Sequence, residues 1–293
     1  MITHPVLTQL AMFGVKLGLG RMETFLRTLS EPHLAYPVVH IGGTNGKGSV
    51  AAMVTAALVE GGYRVGTMLS PHVEALNERI QINGTPIDDS SLEQLIGEID
   101  RARTDWVQAT SGTESLLTYF EFVTAAGFLY FARRQVNVAV VEVGLGGRLD
   151  ATNVVQPLVC AISSIGLDHT EQLGDDLANI AREKAGIFKP RVPVVIGPTS
   201  KKVQAVLVRQ ARMRHAPLWK PGKELRREQR RDKWSFSTPV GTVSEVKLGL
   251  RGDHQAANAT VALGVLHMLR KQGFLLTDDN IRRGFAKAFL PGR

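Results

Sequence analysis

Two rhythms of apolar residues alternate along this chain. β-rich runs occur at residues 37–41, 63–69, 136–143, 158–165 and 192–196, and the third is almost continuously apolar apart from one carboxylate, Glu142. Between the first two, residues 49–60 carry Val50, Met53, Val54, Ala57 and Leu58 at helical spacing, and Gly61-Gly62 closes that segment. Residues 118–134, 253–270 and 278–289 also read as helices. Strands that are apolar along their whole length belong in a parallel sheet covered on both faces. The alternation therefore predicts an α/β fold with a doubly wound, mostly parallel sheet. Residues 200–247 mix turn signals with charges and fit several arrangements, and no internal repeat is visible.

Composition narrows the class. With 293 residues, 44% hydrophobic and 21% charged, the chain has ample material for a core, which sets aside disorder and fibres. Its one cysteine, Cys160, lies in an apolar run and reads as packing, so a reducing, cytoplasmic compartment is expected. There is no secretion signal at the N-terminus and no run of about 18 apolar residues, so neither export nor a membrane span is expected. Net charge is +8, and residues 220–233 hold seven Lys/Arg against three Asp/Glu. That stretch could be a nucleic-acid patch, but its mixed signs favour a solvated surface hairpin or loop, and no nucleic-acid partner is expected.

The strongest chemical signal lies between the first strand and the first long helix. In Gly42-Gly43-Thr44-Asn45-Gly46-Lys47-Gly48-Ser49, backbone N–H groups and a helix N-terminus can cradle phosphate oxygens while Lys47 supplies a positive charge. The general phosphate-loop pattern G-x-x-x-x-G-K-[ST] is missed by one residue at each end, because Ile41 and Gly48 occupy the outer positions. A purely structural glycine turn is the bland alternative.

The variant G-T-N-G-K-G-S resembles the loop of Mur-type ATP-dependent ligases, in the form of the folylpolyglutamate synthase / dihydrofolate synthase family. The resemblance continues in order through Ser70-Pro71-His72 with Asn77-Glu78-Arg79-Ile80, similar to that family's folate-binding loop, and Thr118-Tyr119-Phe120-Glu121. It extends over the block from Glu142 to Asn153, then Asp168-His169-Thr170 with Leu173-Gly174, and Glu183-Lys184-Ala185-Gly186-Ile187.

This resemblance implies roles. Thr44, Asn45, Gly46, Lys47, Gly48, Ser49, Asn258 and Arg293 would contact ATP. Thr118, Phe120, Glu121, Leu149 and Asp150 would contact the pterin-side substrate. Ser70, Glu142 and His169 would ligate Mg²⁺, a hard ion that keeps few protein ligands beside phosphate oxygens and water. Lys47, Lys184, Glu142 and His169 would form the catalytic set, Lys184 as a carbamylated anion.

Residue chemistry alone leaves alternatives open. Glu142 ends a buried strand, where open α/β sheets place their ligand crevice. His169 could equally be a capping or core residue, and Lys184 a surface lysine near a helix end. Gly144, Gly146 and Gly147 could form a simple tight turn, and Asp253 would be a good N-cap for an ordinary helix carrying Asn258.

The implied activity is ATP-dependent addition of L-glutamate to dihydropteroate or a folate through an acyl phosphate, with ATP, the acceptor and L-glutamate as small-molecule partners of a monomer. The implied organisation is one ATP-binding domain over residues 1–293, with no counterpart of the family's C-terminal D-G-A-H-N segment. The alternative expectation is an ATP- and folate-binding domain without ligase activity of its own.

Overall fold

In the computed structural model, residues 4–12, 14, 16–110, 116–167 and 176–292 are described. An eight-stranded sheet runs in the order β4-β3-β2-β5-β1-β6-β7-β8. Its strands are β1 (Val38–Gly42), β2 (Val65–Met68), β3 (Ile80–Ile82), β4 (Thr85–Pro86), β5 (Val138–Glu142), β6 (Pro157–Ile162), β7 (Val194–Ile196) and β8 (Leu218–Trp219). The pairs β2–β5, β5–β1, β1–β6, β6–β7 and β7–β8 are parallel, while β3 and β4 extend one edge antiparallel.

Side-chain alternation divides the strands between two faces. Val39 and Ile41 of β1, Val138 and Val140 of β5 and Val159 and Ala161 of β6 pack under α3 (Lys47–Glu60), α8 (His254–Lys271) and α9 (Asp278–Lys287). On the other face, Val38, Ala139 and Val141 meet α2 (Gly20–Thr28), α4 (Asp89–Thr110) and α5 (Tyr119–Arg133), with α1 (Pro5–Ala11) beside them. Cys160 and Ile162 meet α6 (Leu177–Lys184) and α7 (Lys201–Met213). β1 thus lies at the centre with β5 on one side and β6 on the other, and the crevice of such a sheet opens at the C-terminal ends of these strands.

The predicted α/β architecture is the one observed, and boundary differences have local causes. β6 ends at Ile162 because the next residues leave the ladder: the Thr44 amide donates to the Ser164 carbonyl at 2.7 Å. β2 starts at Val65 because Tyr63 still belongs to the turn that stops α3, its amide donating to the Leu58 carbonyl at 3.1 Å. α3 begins at Lys47, directly after Gly46 at φ +82°, a left-handed turn that glycine adopts without steric cost. Asp253 does not cap α8: its backbone is already helical and its side chain accepts no capping bond.

Residues 220–247 resolve into a separate antiparallel sheet, β9 (Arg226–Arg230), β10 (Lys233–Thr238) and β11 (Gly241–Val246), in the order β11-β10-β9. β9 is exposed along its length, as expected for a solvated hairpin, while Phe236, Val243 and Val246 point into the core beside α8 and α9. None of the described helices is long and apolar enough to cross a membrane.

Candidate functional site

The glycine loop is held from outside itself. Gly43 at φ +137° passes so close to Ser163 that a Cβ there would collide with its hydroxyl and approach its backbone nitrogen to 3.1 Å. The Ser163 hydroxyl donates to the Asn45 carbonyl at 2.7 Å, and the Ser164 hydroxyl donates to the same oxygen at 3.0 Å. Thr44 Oγ1 donates to the Gly166 carbonyl at 3.2 Å. The loop backbone is therefore braced by the residues after β6, the neighbour of β1. Sequence reasoning missed this second loop; its only signal is a Ser-Ser pair just beyond an apolar strand.

Thr44, Asn45, Gly46, Lys47 and Ser49 line a cleft of about 580 Å³, closed on the far side by Ser70, Pro71, Glu142, Gly144 and His254. Lys47 Nζ donates to the Thr44 carbonyl at 3.2 Å, which keeps the cation over the loop. Gly48 faces a smaller recess shared with Ser70 and Glu142. Asn258 stands behind the loop: its carboxamide is buried against Gly46, where a Cβ would clash with it, and Asn258 Nδ2 donates to Gln255 Oε1 at 2.9 Å. Among the described lining residues His254 represents α8 in the cleft, a residue not singled out by sequence.

Glu142, 4% exposed at the end of β5, accepts from the Ser70 amide at 2.9 Å. The Ser70 hydroxyl beside it is buried with no hydrogen-bond partner among the described residues. A buried hydroxyl without a partner is costly, and here it sits next to a carboxylate at a phosphate-sized cleft. These hard oxygen donors fit a divalent cation such as magnesium. His169 and Arg293 lie outside the described residues, and among those described no group of three His, Cys, Asp or Glu is placed to hold a metal.

Lys184 is not the surface lysine that composition would assign. It is 3% exposed at the end of α6, and its amine donates to the Gly43 carbonyl at 2.9 Å. It reaches there because the Gly144–Gly147 turn lies directly on it. A Cβ on Gly147 would come within 2.8 Å of the Glu183 carbonyl and 2.9 Å of Lys184 Cα. Asn153 Nδ2 ties the two segments, donating to the Arg148 carbonyl at 2.9 Å and the Gly186 carbonyl at 3.2 Å. The block containing Glu142 and the segment containing Lys184 are thus one packed unit.

A second cavity of about 400 Å³ meets the first at Ser70, Pro71 and Gly144. Thr118, Phe120, Glu121, Leu149 and Asp150 all line it, together with Leu17, Arg79, Leu145 and Ala151. Several of these also build structure. Thr118 caps α5: its hydroxyl accepts from the Glu121 amide at 3.3 Å, and Glu121 accepts from the Thr118 amide at 2.7 Å in return. Glu121 further pairs with Arg21 at 2.9 Å. Asp150 accepts from the Leu145 amide at 2.8 Å and the Thr152 amide at 3.0 Å; burial raises its pKa while those bonds oppose the rise. Arg79, which sequence reasoning left without an individual role, donates from Nε to His72 Nδ1 at 2.8 Å and lies 5.6 Å from the centre of the Tyr119 ring.

Cys160 is buried, donates to the Ile187 carbonyl, and has its pKa pushed up to about 12 by desolvation, so it is an inert packing thiol.

Residues 41–266 match the Mur ligase middle domain. The chain is 38% identical over 289 residues to a dihydrofolate synthase/folylpolyglutamate synthase of Bacillus subtilis (strain 168), covering 96% of this chain and 66% of that protein. It is 36% identical over 279 residues to the protein of the same description from Escherichia coli (strain K12), covering 95% and 62%. A solved FPGS–AMPPCP complex superimposes with a TM-score of 0.90 at 32% identity, covering 98% of this chain and 72% of that one. The chain therefore spans a little under two thirds of the length of these two curated relatives.

Proposed function

The chain belongs to the Mur ligase family, in its folylpolyglutamate synthase/dihydrofolate synthase branch, and we propose that it carries the ATP- and acceptor-binding sites of a ligase joining L-glutamate to dihydropteroate or a folate. The observation that carries this reading is the meeting of the two cavities at Ser70, Pro71 and Gly144. A phosphate chain on the glycine loop and a carboxylate at the end of an acceptor in the second cavity would face each other there.

The chemistry follows from what the residues can do. Loop amides, the N-terminal end of α3 and Lys47 hold the phosphates of ATP and stabilise charge that builds on the transferring phosphoryl group. The acceptor carboxylate is itself the nucleophile, so the protein needs no nucleophilic side chain; its attack on the γ-phosphorus gives an acyl phosphate and ADP. The amine of L-glutamate then displaces phosphate and forms the amide.

Ser70 and Glu142, with His169, would hold magnesium, which when bound neutralises phosphate charge. Phe120, Leu145 and Leu149 exclude water from the acceptor, and Arg79 places a cation on the same wall. Lys184 fixes the Gly43 carbonyl as an amine; carbamylation would consume its neutral form and convert a cation into an anion beside the loop. Residues 1–293 would then act as one ATP-binding unit, in the cytoplasm and as a monomer.

The second reading is a nucleotide- and folate-binding unit without amide-forming activity of its own. Phosphate release by this chain from ATP and magnesium, with dihydropteroate present and L-glutamate added or withheld, separates the two. Release requiring both substrates supports the ligase; nucleotide and dihydropteroate binding without release supports the second reading; absence of binding refutes both.

A further inference from the structure

The central strand carries a polar residue where its neighbours are apolar. In β1, Val38, Val39 and Ile41 are fully buried, and His40 among them is equally buried. It pairs in register with Val141 of β5 on one side and Cys160 of β6 on the other. An apolar side chain would pack at this position without the cost of desolvating an imidazole. What histidine adds there is a directed hydrogen bond.

That bond starts a chain leading to the second cavity. His40 Nε2 lies 2.8 Å from Thr152 Oγ1, and the same buried hydroxyl is bonded to Asp150 Oδ1. Both Asp150 oxygens also accept backbone amides, Oδ2 from Leu145 at 2.8 Å and Oδ1 from Thr152 at 3.0 Å, as a carboxylate does. The single hydrogen of the Thr152 hydroxyl goes to that carboxylate, so the hydroxyl accepts from His40 and the imidazole carries its proton on Nε2. His40 Nδ1 has no hydrogen-bond partner among the described residues, so nothing there competes for the tautomer. Burial, and secondarily the Lys189 cation, push the pKa of His40 down to about 3, which keeps the ring neutral and the direction of the chain fixed.

The chain hangs two sites on one strand. Leu145, Leu149, Asp150 and Ala151 line the second cavity, and β1 ends at Gly42, where the glycine loop begins. Without a donor from β1 the Thr152 hydroxyl would be free to turn away from Asp150. With His40 donating to it, its hydrogen stays on the carboxylate, which in turn holds the Leu145 amide. We propose that His40 is a positioning residue for the acceptor, acting through Thr152 to fix Asp150 and the wall from Leu145 to Ala151 relative to the phosphate loop. The proposal rests on the acceptor reading above and gives the imidazole no part in the chemistry itself.

The test measures equilibrium binding of dihydropteroate and, separately, of ADP to the full chain and to Thr152→Val, His40→Leu and His40→Gln. Thr152→Val removes the hydroxyl at nearly constant shape, His40→Leu removes the donor, and His40→Gln replaces the imidazole N–H by an amide N–H. Packing and positioning predict opposite orders at His40: in this apolar setting packing favours leucine, whereas positioning favours glutamine. Thr152→Val and His40→Leu are expected to weaken dihydropteroate binding about tenfold with ADP affinity within about twofold, and His40→Gln to recover most of the loss. Circular dichroism checks that each variant is folded, and Thr152→Val carries the test if a His40 variant is not. Unchanged dihydropteroate affinity in Thr152→Val, leucine binding as well as glutamine at position 40, or an equal loss of ADP binding overturns the proposal while leaving the acceptor site standing. Failure of dihydropteroate to bind the unaltered chain overturns the acceptor reading and this proposal together.

Discussion

The C-terminal ends of β1, β5 and β6 and the small β9–β11 sheet use polar residues in opposite ways. In the first region Glu142, Asp150, Asn153 and Lys184 are each at most 5% exposed, and each is bonded to backbone of a neighbouring segment. In the second, every residue of Arg226–Arg230 is exposed, and the ion pairs there, such as Arg230 with Glu228, lie on the surface. Burying a charge is costly unless fold or ligand compensates it, whereas a solvated charge is nearly free. A buried polar group therefore marks a place where something is held, and a surface run of arginines mostly records solubility.

The sharpest way to break this contrast is to remove a charge from each region. Lys47→Ala is expected to reduce ATP-dependent turnover about 100-fold or more, measured as ADP release, because the positive charge over the loop is gone. A variant that kept its rate would mean that the loop is only a turn.

The seam between the small sheet and α8 offers a pH test. His267 of α8 is buried, with Nδ1 2.6 Å from Thr238 Oγ1 of β10 and Nε2 3.0 Å from Arg270 Nη1. A guanidinium can only donate, so Nε2 must accept and the ring is neutral. Desolvation, and secondarily Arg270, lowers its pKa to about 4. The native state thus resists a proton that the unfolded chain takes up near pH 6.5, so stability is full above that pH and falls as pH drops from 6.5 towards 4. The expected loss is roughly 3 kcal/mol. Urea unfolding across that window measures it, and His267→Gln should flatten part of the slope; an unchanged slope would show that the histidine is not held neutral.

A smaller effect is expected from Gly186→Ala. The added methyl would strike the Cα and Cβ of Arg148, pushing the turn away from Lys184. The expected cost is about 2 kcal/mol in denaturant unfolding. Smallest of all, Arg226→Ser with Arg227→Ser should shift stability by no more than about 0.5 kcal/mol and leave nucleotide binding unchanged. A large shift in either would mean that the exposed strand holds something after all.

Much of the fold was legible because it depends on periodicity. Apolar strands alternating with amphipathic helices call for a covered parallel sheet, and the strand, glycine loop and helix at residues 38–60 were found in that order. The candidate site was legible where contiguous residues carry it. Thr44, Asn45, Gly46, Lys47 and Ser49 line one cleft, and Thr118, Phe120, Glu121, Leu149 and Asp150 line the adjoining cavity.

What stayed hidden depends on contacts distant in sequence. Ser163 and Ser164 bind the loop across about 120 residues, and nothing local in a Ser-Ser pair says so. Lys184 looked like a surface cation because its helix is short and polar; only the fold shows that Gly147 lets a backbone settle over it. Leu17 reaches the second cavity from a segment whose own pattern gives no sign of it, while Arg79 lies in the segment already likened to a folate-binding loop. Asp253 misled in the other direction, since a good capping residue makes no cap once its backbone has already turned helical.

The most direct test of the central claim, that the two cavities bring an acceptor carboxylate against the terminal phosphate of ATP, is an isotope transfer. Dihydropteroate labelled with ¹⁸O in its carboxylate would be turned over with ATP, magnesium and L-glutamate, and the released phosphate analysed by mass. Phosphate carrying one ¹⁸O atom is expected, because the carboxylate oxygen that attacks phosphorus leaves with it. Phosphate without label would mean that water is the nucleophile and that no acyl phosphate forms where the cavities meet.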